Sequence, residues 1–174
     1  MEPVAQDKKP IFVWSDAWVL AAVAVGGGLK GCGLKDIIAA GELINRALLN
    51  PCEIRTALGK LIHAGHVTRR AQDTFMMGGD ARAAVEKLLK ESTASFSVMQ
   101  FFEDFLEVDP YGVNDAAYDD SQFALSDMSD ADVEAAARAY HEDLQNLWRE
   151  LRQIDKRSLS ERAAKFLEEV GRDR

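Results

Sequence analysis

The stretch that decides the fold runs from Asn50 to Met77, NPCEIRTALGKLIHAGHVTRRAQDTFMM. Asparagine caps helices well, and proline fits the first helical position because no amide donor is needed there, so Asn50-Pro51 predicts a helix start. Ile54, Leu58, Leu61 and Ile62 follow at helical spacing on one apolar face, and Ala64-Gly65 supplies a glycine stop. The opposite face presents Arg55, Thr56, Gly59, Lys60 and His63. His66 to Arg70 and Thr74 to Met77, separated by Ala71-Gln72-Asp73, predict two short strands around a tight turn.

Upstream, Ser15-Asp16 gives a cap and a first-turn acid, and Trp18, Leu20, Ala21, Val23 and Ala24 predict a short helix buried nearly all round. Gly26-Gly27-Gly28 ends it, and Leu29 to Gly33 is expected to be a returning loop. Leu34, Ile37, Ile38, Ile44 and Leu48 share one stripe if a second helix continues through Gly41, where a bend or close packing is expected. Downstream, Asp80 opens a further helix through Val85, Leu88 and Leu89. Helix, helix, helix, hairpin, helix is the winged-helix order.

The run Leu61-Ile62-His63-Ala64-Gly65-His66-Val67 resembles the signature that closes the recognition helix and leads into the wing of bacterial winged helix-turn-helix proteins. The resemblance covers about residues 11 to 90. Within it, Ser15-Asp16-Ala17-Trp18, Leu34-Lys35-Asp36-Ile37-Ile38 and Ile44-Asn45-Arg46-Ala47 are similar to a group of uncharacterised bacterial winged-helix proteins. The expected fold class is mainly α with a small β-hairpin wing: a flexible arm over 1–10, a winged helix-turn-helix domain over 11–92, and an acidic helical tail over 93–174.

Val98 to Leu106 predicts an amphipathic helix whose aromatics cover the first domain, and Asp109-Pro110-Tyr111-Gly112 breaks it. Val113 to Asp132 is acidic and lacks periodic apolar residues, which predicts a loop or a partly disordered stretch. Ser129-Asp130 then caps a helix over about 130–156, whose Val133, Ala137, Tyr140, Leu144, Leu147, Leu151 and Ile154 alternate steps of four and three, a heptad seam. A last amphipathic helix is expected to carry Ala163, Phe166, Leu167 and Val170.

The formal net charge of −8 divides unevenly. Residues 1–90 hold 12 Lys and Arg against 9 Asp and Glu, +3, and residues 91–174 hold 9 against 20, −11. The acidity therefore belongs to the tail, and the first domain is mildly basic. Met1-Glu2-Pro3-Val4 carries no basic leader, and the longest apolar run, Ala17 to Val25, is about half of the ~20 residues a membrane helix needs. Cys32 and Cys52 lack C-x-x-C spacing and suit a reducing, cytoplasmic setting without a disulfide.

For a winged helix on DNA, the helix after Pro51 lies in the major groove, with Arg55, Thr56, Lys60 and His63 toward bases or phosphates. Arg69 and Arg70, at the root of the wing, would hold a flanking phosphate or reach the minor groove, and Arg46 and Lys35 would position the preceding helix on the backbone. The expected function is a double-stranded DNA-binding regulator, dimeric through its C-terminal helices. The alternative is an adaptor that binds a protein partner with its acidic tail. Neither a metal site at Cys32, Cys52, His63 and His66 nor a calcium loop at Asp109, Asp115, Asp119 and Asp120 has the ligand spacing such sites use. The acids could instead stand in for nucleic-acid charge. No phosphate loop, nucleophile elbow or cofactor motif is present, so no enzyme and no cofactor are expected.

Overall fold

A computed structural model describes residues 10–27, 30–70, 74–91, 97–108 and 120–153. The arm at 1–9, the hairpin turn at 71–73, the acids Asp109, Asp115 and Asp119, and the last helix expected around Ala163 lie outside the described residues. So does the end of the heptad seam beyond Gln153.

Six α-helices and a two-stranded antiparallel sheet are described: α1 (Trp14–Gly26), α2 (Leu34–Asn45), α3 (Pro51–His63), β1 (Val67–Arg70), β2 (Thr74–Met77), α4 (Gly79–Glu91), α5 (Val98–Leu106) and α6 (Asp130–Gln153). The chain is thus mainly helical with one small hairpin, in the order helix, helix, helix, hairpin, helix. Among the described residues no helix is long and apolar enough to cross a membrane.

The core is built around α1, whose residues Ala17 to Val23 are all buried. An apolar sequence on every side of a helix is stable in water only if neighbours cover every side, and α2, α3, α5 and β2 do so here. Leu20, Ile37, Ile54, Leu58, Leu61 and Phe75 are shut off from solvent, each worth about 1.5–3 kcal/mol of hydrophobic transfer.

Helix α1 starts two residues earlier than its Ser15-Asp16 cap suggests. Val13 is the N-cap, and the Asp16 carboxylate accepts from its amide at 2.7 Å. Helix α2 stops at Arg46, which takes a left-handed conformation at φ 54°, so the expected stripe does not reach Leu48, which is half exposed. Close packing is found at Gly41, whose carbonyl accepts from Trp18 Nε1 at 3.0 Å.

Helix α3 begins with a reciprocal cap: Asn50 Oδ1 accepts from the Glu53 amide at 2.9 Å and Glu53 Oε2 from the Asn50 amide at 3.0 Å. It ends where the His66 amide donates to the Leu61 carbonyl at 2.8 Å and Gly65 turns at φ 78°, a Schellman stop. The hairpin pairs Val67 with Met77 and Arg69 with Phe75. A third contribution comes from far upstream. Cys32 and Phe75 exchange backbone hydrogen bonds of 2.9 and 2.8 Å, so the returning loop is joined to the hairpin as an isolated bridge. Gly31 reaches that bridge at φ 100°.

The chain forms two compact units, the first extending to Arg138 and the second running from Ala139 onward. Helix α5 and the acidic residues 120–132 therefore sit in the same unit as α1 to α4, across the boundary expected near residue 92. In the second unit, Tyr140 and Leu144 are half-buried, and Leu147 and Trp148 are exposed.

Candidate nucleic-acid interface

The face of α3 expected to be open is closed by the chain itself. Residues 120–132, expected to be a loop, form a strap across α3: a 3-10 turn at Ser121–Phe123, followed by the turns that lead into α6. Met128 and Val133 are buried, and the Phe123 ring meets His63 edge-on at 5.3 Å between centroids. Its backbone lies so close to α3 that a Cβ at Gly59 would collide with the Phe123 carbonyl. Only glycine leaves that space, which is why a strap with few apolar residues can lie flat on the helix.

Acids of the strap meet the predicted cations in turn. Arg55 donates to the Asp130 carboxylate at 2.5 Å and to the Leu125 carbonyl at 3.3 Å. Arg69 donates from one nitrogen to both carboxylate oxygens of Asp127, at 2.7 and 2.8 Å, while its guanidinium lies 5.8 Å from the Phe75 ring centroid. The Asp127 carboxyl is held below its ordinary value chiefly by the hydrogen bond from Arg69, with the Arg69 charge adding to it.

Lys60 behaves differently. It is fully buried, and its Nζ lies 2.7 Å from Asp16 Oδ2 and 3.3 Å from Asp120 Oδ2. Burial pushes the Asp16 carboxyl above the usual range against the opposing pull of Lys60. A pair this deep ties α1 to α3, so Lys60 is a core residue and not the open base-reading contact expected from its helical position. Thr56 is also buried, 4.0 Å from Cys52 Sγ. Lys60 is enclosed between Asp16 of α1 and Asp120 of the strap, and Thr56 lies one turn before it on α3.

The remaining predicted residues scatter. His63 is exposed but holds Phe123. Arg70 is exposed, and Arg69 is not, because successive strand residues point to opposite faces; the two arginines therefore do not share a surface. Arg46 is exposed at the end of α2, and Lys35 is exposed in its first turn. The structure thus brings Arg55 and Arg69 together, through one segment from Leu125 to Asp130, and leaves Arg70, Arg46 and Lys35 apart from them.

The residues weighed as metal ligands are not gathered. Cys32 Sγ points at the Val23 and Phe75 carbonyls, and burial raises its thiol to about 11. Cys52 is exposed at the start of α3, and His66 lies between the rings of Phe12 and Phe105. An open pocket of about 190 Å³ beside the α3 N-terminus is walled by Ser15, Asp16, Asn50, Cys52, Glu53 and Asp120. Its three carboxylates make it unsuited to phosphate.

Magnitudes decide what holds the strap. Asp127 and Asp130 are more than half exposed, and water screens ion pairs of that kind, so they add little to stability. Burying Met128 and Val133 is worth about 1.5–3 kcal/mol each. The apolar residues anchor the strap, and the carboxylates set its register on the arginines. Sequence reasoning missed this segment because its anchors are spread over eleven residues, Phe123, Met128 and Val133, without a repeating period. The signal that could have found it is Gly59, a glycine in mid-helix on the polar face.

Comparison of the chain with protein-family models, with curated proteins and with solved structures finds no match.

Proposed function

We propose that this chain is a cytoplasmic, non-enzymatic winged-helix protein that binds double-stranded DNA, with α3 as the groove-facing helix and the hairpin as the wing. The observation that carries the reading is the convergence of Arg55 and Arg69 on one short run of the chain, where each holds a carboxylate. Two arginines fixed on one face, with anionic oxygens already seated on them, are suited to a phosphate backbone. The heptad seam of α6 supports pairing of two copies, so that two domains would read two half-sites.

The test is titration of the full chain with mixed-sequence duplex over a salt series, followed by fluorescence anisotropy. Binding should weaken steeply as salt rises, because each phosphate contact releases counterions, and Arg55→Ala with Arg69→Ala should flatten that slope. Absence of binding at low salt, by the wild type and by Asp127→Asn with Asp130→Asn alike, would overturn the reading.

A second reading, an adaptor for a protein partner, draws on Leu147 and Trp148, which are 50% and 60% exposed on an acid-rich helix. It predicts that Trp148→Ala abolishes partner capture and leaves duplex titration unchanged.

A further inference from the structure

Resting on the DNA-binding reading, we propose that the strap from Asp120 to Asp132 is a built-in competitor for duplex: it occupies the face of α3 and the hairpin that DNA would take, and it must lift before DNA can bind.

Three observations carry this. The first is chemical. Asp127 presents both oxygens to Arg69, and Asp130 presents one to Arg55, the contacts that phosphate oxygens would otherwise make. The second is steric. With the Phe123 carbonyl seated over Gly59 and the Phe123 ring on His63, α3 cannot enter a groove while the strap is in place. Strap and duplex therefore exclude one another. The third is the exposure of the two carboxylates, 69% for Asp127 and 57% for Asp130: water already reaches these pairs, so an incoming phosphate can displace them one at a time. The C-terminal end of the strap carries the buried Met128 and the Ser129 cap of α6, whose Oγ accepts from the Asp132 amide at 3.2 Å. Opening can therefore begin at Phe123 and Asp127, ahead of the α6 start that carries Asp130.

The experiment uses the full chain in two variants. Gly59→Leu wedges the strap off α3 without changing charge; Asp127→Asn with Asp130→Asn removes the two ion pairs and nearly preserves shape. A charge-matched control, Glu142→Gln with Glu150→Gln, alters exposed acids of α6 outside residues 120–132. Hydrogen exchange of residues 120–132 reports strap opening, and duplex anisotropy at one salt concentration reports binding.

Both variants should exchange faster in the strap and bind duplex about tenfold more tightly than wild type, the factor that ~1.4 kcal/mol of lost competition gives, with the control near wild type. Faster exchange with unchanged duplex affinity would overturn the competitor role while leaving DNA binding standing. Unchanged exchange in both variants would overturn it too, since the strap would then not be displaceable by these contacts. An open strap with no duplex binding by any form would remove the DNA reading itself, and the competitor with it. If Gly59→Leu does not fold, the aspartate variant and its control decide.

Discussion

Lys60 Nζ and Asp16 Oδ2 lie 2.7 Å apart with both side chains buried, joining α3 to α1. Breaking a buried pair from one side strands a charge, which costs about 3–5 kcal/mol. Lys60→Met should therefore lower stability by that order in urea denaturation. Adding Asp16→Asn, which keeps the oxygen that accepts from the Val13 amide, should recover a large part. A loss in the double variant equal to the sum of the losses of Lys60→Met and Asp16→Asn alone would mean the pair is not coupled.

Two aspartates should titrate on opposite sides of the ordinary carboxyl value. Asp127 is held below the ordinary 3.8 by the hydrogen bond from Arg69, so its contribution is complete above 3.8 and is lost as pH falls through the lower folded value. Asp16 is raised above 3.8 by burial; the folded chain holds that proton more tightly than the unfolded one, and between 3.8 and the raised value stability falls as pH climbs. Carboxyl carbon shifts in an NMR titration check both. Arg69→Ala should move Asp127 upward and leave Asp16 in place.

Thiol chemistry should separate the cysteines. Cys32 is buried with its thiol raised to about 11, whereas Cys52 is exposed. A thiol reagent at neutral pH should label one cysteine in the native chain and both after unfolding, since the thiolate is the reactive form. Rapid native labelling of Cys32 would show that its bridge to Phe75 opens readily.

Gly31→Ala should cost more than Gly65→Ala. Both glycines have positive φ, 100° and 78°, but a Cβ at Gly31 would press on Thr74 Cγ2 and Met76 Cγ, whereas at Gly65 it meets open space. The backbone term alone is roughly 1–2 kcal/mol, and it applies to both. Thermal unfolding should therefore rank them, and an equal loss would contradict the close approach of Gly31 to the hairpin.

What was legible in the sequence was local. Asn50 and Pro51 announce the start of α3, and Ser129 with Asp130 the start of α6, because a cap needs only its own turn. What escaped was carried by contacts between distant residues. Cys32 joins Phe75 across 43 positions, Asp16 finds Lys60 across 44, and Asp127 finds Arg69 across 58. Helical spacing put Lys60 on a polar face, but a polar face is exposed only if nothing lies on it. The end of α2 was missed for a different reason: Arg46 adopts a left-handed turn that glycine or asparagine usually announces.

The central claim is that α3 and the hairpin take duplex in exchange for the strap. Hydrogen exchange of the full chain with and without mixed-sequence duplex at low salt tests it in one measurement. The account predicts that amides of α3 and of β1 and β2 stay protected or gain protection, while residues 120–132 lose it. Protection changes confined to other parts of the chain, with the strap and α3 unaltered at saturating duplex, would contradict it.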